Sequence, residues 1–265
     1  MAIPIFQVDA FTAEPFKGNP AGVCLLRGPA EASWMQNVAA EMNVAETAFP
    51  LPEGDGFRLR WFTPAVEVKL CGHATLATAH ILWEQGILAQ GQEARFQTLS
   101  GLLTARRDGD LIELNFPARP ILPKLPAWTD DVIGAIGVKP AFIGLSEEDM
   151  LLEAADEETV RTLQPDFATL KALPVRGIIV TSRAADARFD FVSRFFAPAV
   201  GINEDPVTGS SHCVLTPYWA KRLGKASMTA YQASARGGIL HVRLDNDRVR
   251  IAGHAVTVIR GELQA

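Results

Sequence analysis

Two carboxylates stand where an internal repeat of this chain breaks, and two glycine turns stand where it holds. Phe62-Thr63-Pro64-Ala65-Val66 returns 134 positions downstream as Phe196-Ala197-Pro198-Ala199-Val200. Gly72-His73 is answered, after three extra residues, by Gly209-Ser210. Counting back equally from Phe62 and Phe196 sets Glu46 opposite Val180, in the apolar run Gly177-Ile178-Ile179-Val180-Thr181. Asp205 belongs to the inserted part, in Glu204-Asp205-Pro206 just ahead of Val207-Thr208-Gly209-Ser210. Two copies of one unit share their structural residues, so departures from the repeat mark where chemistry is expected. A lone acid at such a place is more often an edge-strand or turn residue. Two that both interrupt the repeat point to a site. A carboxylate in a half-buried strand suits general acid/base work, because leaving water raises its proton affinity towards neutral pH.

The glycine turns add a second kind of chemistry. Gly72-His73-Ala74 and Gly209-Ser210-Ser211 each open a helix after a loop. The first amides of a helix have no partner within it and carry partial positive charge, so two matching starts could hold a substrate carboxylate. His73 is a candidate for orienting the substrate or donating to it; the alternative is a plain helix cap. His80, His212, His241 and His254 show no metal-ligand spacing and read as structural. Cys71 and Cys213 fall on apolar segments and read as inert core thiols. Cys71 precedes Gly72, whereas Thr208 precedes Gly209, so racemisation with one thiol from each copy is disfavoured. No dinucleotide-binding, phosphate-loop or nucleophile-elbow glycine motif occurs.

These residues need elements to place them. Ile3 to Phe11 reads as a first strand, Lys17 to Gly22 as a turn, and Val23 to Leu26 as a returning strand. Ala30 to Met42 has helical periodicity and Asn43 is its stop. Val44 to Phe49 reads as a short strand ended by Pro50 and Pro52, and Phe57 to Phe62 as a half-buried one. The helix from Gly72 to Glu84 is apolar nearly all round, so strands must wrap it. Strands at Ala94 to Thr98, Leu102 to Arg107 and Leu111 to Phe116 follow, the last two joined at Asp108-Gly109. Pro117, Pro120, Pro123 and Pro126 mark a linker. The second half is expected to have short helices near Asp130 to Ile136 and Asp166 to Ala172. Its acidic loops at Glu147 to Asp149 and Asp156 to Glu158 are expected to be solvated. Strands are expected at Val175 to Thr181 and Phe189 to Phe196, then a second buried helix from Ser210 to Leu223, kinked at Pro217. The closing strands are Met228 to Ser234, Gly238 to Leu244, Val249 to Gly253 and Ala255 to Gly261. The expected halves are 1–117 and 118–265, with the last strand able to return to the first half.

Hydrophobic residues at 48% and charged ones at 21% are ordinary globular values, and a 265-residue chain can bury a real core. A formal net charge of −5 and a pI near 5.6 give no reason to expect nucleic acid or a membrane surface as partner. Three cysteines without CxxC spacing fit a reducing cytoplasm. The N-terminus lacks the basic region of a signal peptide, and no apolar stretch approaches the roughly 20 residues that span a bilayer.

The chain resembles the PhzF family of phenazine-biosynthesis-like isomerases. The likeness runs through Val8–Thr12, Phe16–Val23, Glu46–Phe49, Phe62–Pro64, Leu70–Thr75 and Glu204–Ser210. It implies the diaminopimelate epimerase-like α+β fold: two pseudo-symmetric halves, each a mixed β-barrel around a central helix, with the active site between them. It also implies no cofactor or metal, and a homodimer. By the same resemblance Glu46 is the acid/base, and Asp205 and His73 assist it. Asn19, Gly72, His73, Gly209 and Ser210 line the substrate site. The expected activity is a cofactor-independent isomerase that moves a proton within a small carboxylated metabolite. The alternatives are an epimerase or racemase on the same fold, and a non-catalytic module that binds a small molecule or a protein. Substrate specificity is expected in the loops Glu53 to Gly56 and Ser146 to Thr159.

Overall fold

The computed structural model describes residues 2–264. The chain forms two compact units, one running up to Phe116 and resuming at Ile251, the other spanning Pro117–Arg250. The second unit therefore ends at Arg250 and not at the C-terminus, because the last strand pairs with the first strand of the chain, Ile3 with Leu263 through Ala10 with Ala255.

The first unit contains β1 (Ile3–Ala10), β2 (Asn19–Cys24), α1 (Ala32–Met42), β3 (Glu46–Glu53), β4 (Gly56–Phe62), β5 (Glu67–Val68), α2 (Gly72–Glu84), β6 (Ala94–Thr98), β7 (Gly101–Asp108) and β8 (Leu111–Pro117). Its strand order is the C-terminal strand, β1, β2, β3, β4, β6, β7, β8, with β5 beside β4. The β2–β3 and β4–β6 pairs are parallel and the other registered pairs antiparallel, so the sheet is mixed. Helix α2 touches β1, β2, β3, β7 and the C-terminal strand. His73 through Ala79 and Ile81 through Trp83 are buried, which an all-round apolar helix requires. α1 covers the outer face through Met35, Val38 and Ala39 against Phe49 and Phe62.

Two expectations fail here, each for a local reason. β3 runs on through Pro50 and Pro52, which pair with Leu59 and Phe57 of β4. The Pro50 carbonyl accepts from Leu26 N, so its peptide groups, and those of Pro52 two residues on, face away from β4. No bond of the β3–β4 ladder then needs a proline N–H. Asn19 and Pro20 likewise belong to β2, where they pair with Ala10 and Asp9, and not to a turn.

The second unit contains α3 (Thr129–Ile136), β9 (Phe142–Leu145), β10 (Asp149–Glu153), α4 (Glu157–Thr162), α5 (Phe167–Lys171), β11 (Gly177–Arg183), β12 (Phe191–Phe196), α6 (Gly209–Leu223), β13 (Ser227–Gln232) and β14 (Gly238–Asp245). β15 (Arg248–Gly253) leads back to the first unit, and β16 (Ala255–Leu263) is the C-terminal strand already described. The order is β15, β14, β13, β12, β11, β10, β9. The central helix α6 packs on β13 and β14, with nine buried residues from Gly209 to Ala220. The repeat is thus a strand, a buried helix and three further strands. Phe57 lies beside Phe96 in one copy and Phe191 beside Ala230 in the other.

The acidic runs are solvated at Glu147, Glu148, Asp156 and Glu158, but one acid of each run turns inward. Asp149 opens β10 and is fully buried, and Asp156 caps α4 by accepting from Thr159 N. Glu157 is buried and accepts from Arg161 and from Ala185 N. Helix α6 continues through Pro217. The proline has no N–H to give the Cys213 carbonyl, which accepts instead from Arg119 N at 2.9 Å. Among the described residues no helix is long and apolar enough to cross a membrane.

Candidate active site

Three elements of the first unit bring residues from their N-terminal ends together. Glu46 begins β3, Asn19 begins β2, and His73 is the second residue of α2. The His73 ring is buried, with Asn19 Nδ2 3.2 Å from its Nδ1 and Glu46 Oε2 3.2 Å from its Nε2. Nε2 makes no hydrogen bond to Glu46, whereas Asn19 is bonded to Nδ1. An amide that donates to Nδ1 makes it an acceptor, which puts the ring proton on Nε2, the nitrogen nearer Glu46. Burial pushes the imidazole down from its usual 6.5 to about 3, so His73 is neutral at physiological pH. The pair is a neutral imidazole beside a carboxylate whose side chain is 13% exposed.

The loop from β1 to β2 sets this geometry. Asp9, itself buried, accepts from Phe16 N at 2.7 Å. Gly18 has φ +62, and a side-chain carbon there would lie 2.1 Å from the Ala10 carbonyl oxygen. Only glycine allows the turn that delivers Asn19 to β2. The Cys71 thiol is 3.5 Å from His73 Nδ1, and one ligand atom each from Glu46, Cys71 and His73 lies within 4.8 Å of the others. This donor set does not converge on one ion, because the ring turns Nε2 to Glu46 and Nδ1 to Cys71 and Asn19. A cation on either nitrogen faces away from the other partner.

In the second unit, Asp205 Oδ2 accepts from the Thr208 hydroxyl at 2.5 Å. Gln232 ties the turn together. Its Oε1 accepts from Thr208 N at 2.8 Å, and its Nε2 donates to the Asp205 carbonyl at 2.8 Å. Thr208 is the N-cap of α6, yet its hydroxyl serves Asp205 and does not cap the helix. Cys71, the N-cap of α2, makes no side-chain cap either. At both central helices, therefore, the N-cap residue's own side chain leaves the first amides alone. The expected alternative for His73, a plain helix cap, does not hold. At the start of α6, Ser210 Oγ accepts from Arg176 Nη2 at 3.1 Å, and Arg176 is gripped in turn by both oxygens of Asp149. His212 donates from Nδ1 to the Thr208 carbonyl at 2.7 Å, and burial pushes its pKa down to about 4.

The structure thus groups Glu46, His73, Asn19 and Gly72 in one unit, and Asp205, Gly209 and Ser210 in the other. Sequence reasoning missed Gln232, Thr208, Arg176 and Asp149. Gln232 was legible in principle. Phe96-Gln97 recurs downstream as Tyr231-Gln232, but the parallel ladders set Gln97 beside Arg58 and Tyr231 beside Val192. Gln232 is one residue further on, at an inward position, and is fully buried.

Residues 8–261 match the family profile described as phenazine biosynthesis-like protein, PhzC-PhzF. An uncharacterized isomerase of Halalkalibacterium halodurans is 51% identical over 264 residues, covering 99% of each chain. The crystal structure of a PhzF-family phenazine biosynthesis protein from Enterococcus faecalis superposes with a TM-score of 0.93 at 43% identity, covering 100% of both chains. A hydroxyproline epimerase of Agrobacterium vitis shares the fold at 11% identity, with a TM-score of 0.65 over 99% of this chain and 92% of its own. The architecture is the diaminopimelate epimerase-like α+β fold.

Proposed function

The chain belongs to the phenazine biosynthesis-like family, and on that premise we propose that it is a cofactor-independent isomerase moving a proton within a small carboxylated metabolite. The observation that carries the reading is the approach of Glu46 to a buried, neutral His73. Glu46 is the base. It takes a proton from the carbon next to an unsaturated or enolisable group, and the electron pair left behind delocalises into that group. The protonated Glu46 then returns the proton at a different carbon, so atoms and charge balance. Neutral His73 presents Nε2–H as a donor, and cannot compete for the proton because burial keeps its pKa near 3. The start of α6 at Gly209, with Ser210, recognises a carboxylate and Asp205 orients or relays; the matching start of α2 at Gly72 offers the same amide chemistry in its own unit. General acid/base catalysis of this kind is typically worth about 10²–10⁴ in rate.

The test is proton exchange. Wild type and Glu46→Gln are incubated in deuterated water with pooled small carboxylates and read by mass spectrometry. Deuterium should enter one compound with wild type and with Cys71→Ser, but not with Glu46→Gln. Exchange that survives Glu46→Gln but fails in Cys71→Ser would move the chemistry to the thiol and favour an epimerase. Binding without exchange in any compound would favour a non-catalytic module.

A further inference from the structure

We infer that Arg176 is a positioning residue of the proposed carboxylate site, holding the Ser210 hydroxyl so that its hydrogen is free to donate to the substrate. This rests on the reading above that the start of α6 recognises a carboxylate. A serine hydroxyl has one hydrogen and two lone pairs and rotates to suit its neighbours. A guanidinium only donates, so its Nη2 contact at 3.1 Å occupies a lone pair of Ser210 Oγ and leaves the hydroxyl hydrogen to point elsewhere. A donor bearing charge also polarises the O–H bond, which strengthens its own donation to an anion.

The guanidinium is built in. Nε and Nη2 meet the two oxygens of Asp149, whose side chain is fully buried, and the guanidinium lies over the Phe195 ring at 5.4 Å. The neighbouring Gly177 makes room: a side-chain carbon there would come 2.2 Å from the Phe195 ring and 3.1 Å from Asp149 Oδ1. Glu148 adds a second carboxylate 3.6 Å from Arg176 and is itself paired with Arg119. These acids offset the cation, so Arg176 directs Ser210 without leaving an uncompensated charge in the unit. The two helix starts then follow one plan. The second residue of α2, His73, is held by Asn19; the second residue of α6, Ser210, is held by Arg176.

The experiment measures binding of a pool of short aliphatic and aromatic carboxylates to Glu46→Gln protein, by ligand-observed NMR. In that background Ser210→Ala and Arg176→Lys should each weaken the same pool members about tenfold, the loss of one hydrogen bond to a charged group. The double variant should be no weaker than Arg176→Lys alone, because the two side chains act as one unit. Unfolding midpoints recorded alongside separate this from a general loss of stability. Unchanged binding in a folded Arg176→Lys, or losses that add in the double variant, overturns the inference and leaves the carboxylate site standing. Ser210→Ala keeps the Arg176–Asp149 pair whole, so unchanged binding there also overturns it, even if Arg176→Lys does not fold. Failure of every pool member to bind the Glu46→Gln protein would overturn the carboxylate site itself.

Discussion

At the scale of single residues, His73 and His212 tie stability to pH. Burial pushes their imidazoles from the usual 6.5 to about 3 and about 4. In the unfolded chain each takes a proton near pH 6.5, while in the folded chain each resists until much lower pH. Between those values the unfolded state holds more protons, so stability is fully present above about pH 6.5 and falls as the pH drops through the window. Each group can remove up to about 1.4 kcal/mol per pH unit. Urea midpoints at pH 7.5, 6.5 and 5.5 should fall in wild type, and His73→Gln should flatten the decline. An equally steep decline in His73→Gln would mean that this imidazole is already protonated in the folded protein. The same neutrality is why Glu46, and not His73, is assigned the base.

At the scale of elements, the β1–β2 loop and helix α2 aim the site. Gly18→Ala meets both a left-handed φ and a backbone oxygen 2.1 Å away. It should cost about 2–4 kcal/mol and reduce proton exchange by displacing Asn19. Gly28→Ala, with nothing within 4 Å, is the control and should stay within about 0.5 kcal/mol. Denaturant unfolding of the two variants checks this. Leu76 is fully buried at the middle of α2, and Leu76→Ala should lose about 3–5 kcal/mol, since the surrounding strands cannot collapse fully onto the cavity. A loss under about 1 kcal/mol would mean that the sheet does not enclose the helix.

At the scale of the whole molecule, the C-terminal strand belongs to the first unit through its ladder with β1. A chain ending at Gly253 keeps β15, loses β16 and leaves β1 with only β2 as partner. Hydrogen exchange of that truncation should show β1 and β2 unprotected while β11 to β13 keep their protection. Uniform loss of protection would show instead that the two units fold as one cooperative block.

The amino-acid sequence alone determined the repeat, the two buried helices and the break at Glu46. Periodicity and turn residues are local, and an apolar helix such as Gly72–Glu84 has no stable place in water unless it is enclosed. The resemblance to a known family singled out Asn19, Glu46, His73, Asp205 and Ser210. The prolines and one acid of each acidic run misled, because what they do depends on neighbouring segments. Pro50 and Pro52 are tolerated since their peptide groups face away from β4, and Asp149 is buried since Arg176, 27 residues later, meets both its oxygens. Only the tertiary structure decided that His73 is neutral and held by Asn19, that Thr208 serves Asp205 and not its own helix, and that Gln232 and Arg176 brace the start of α6. Burial, tautomer and hydrogen-bond direction are properties of surroundings assembled from distant segments, and no local pattern of residues encodes them.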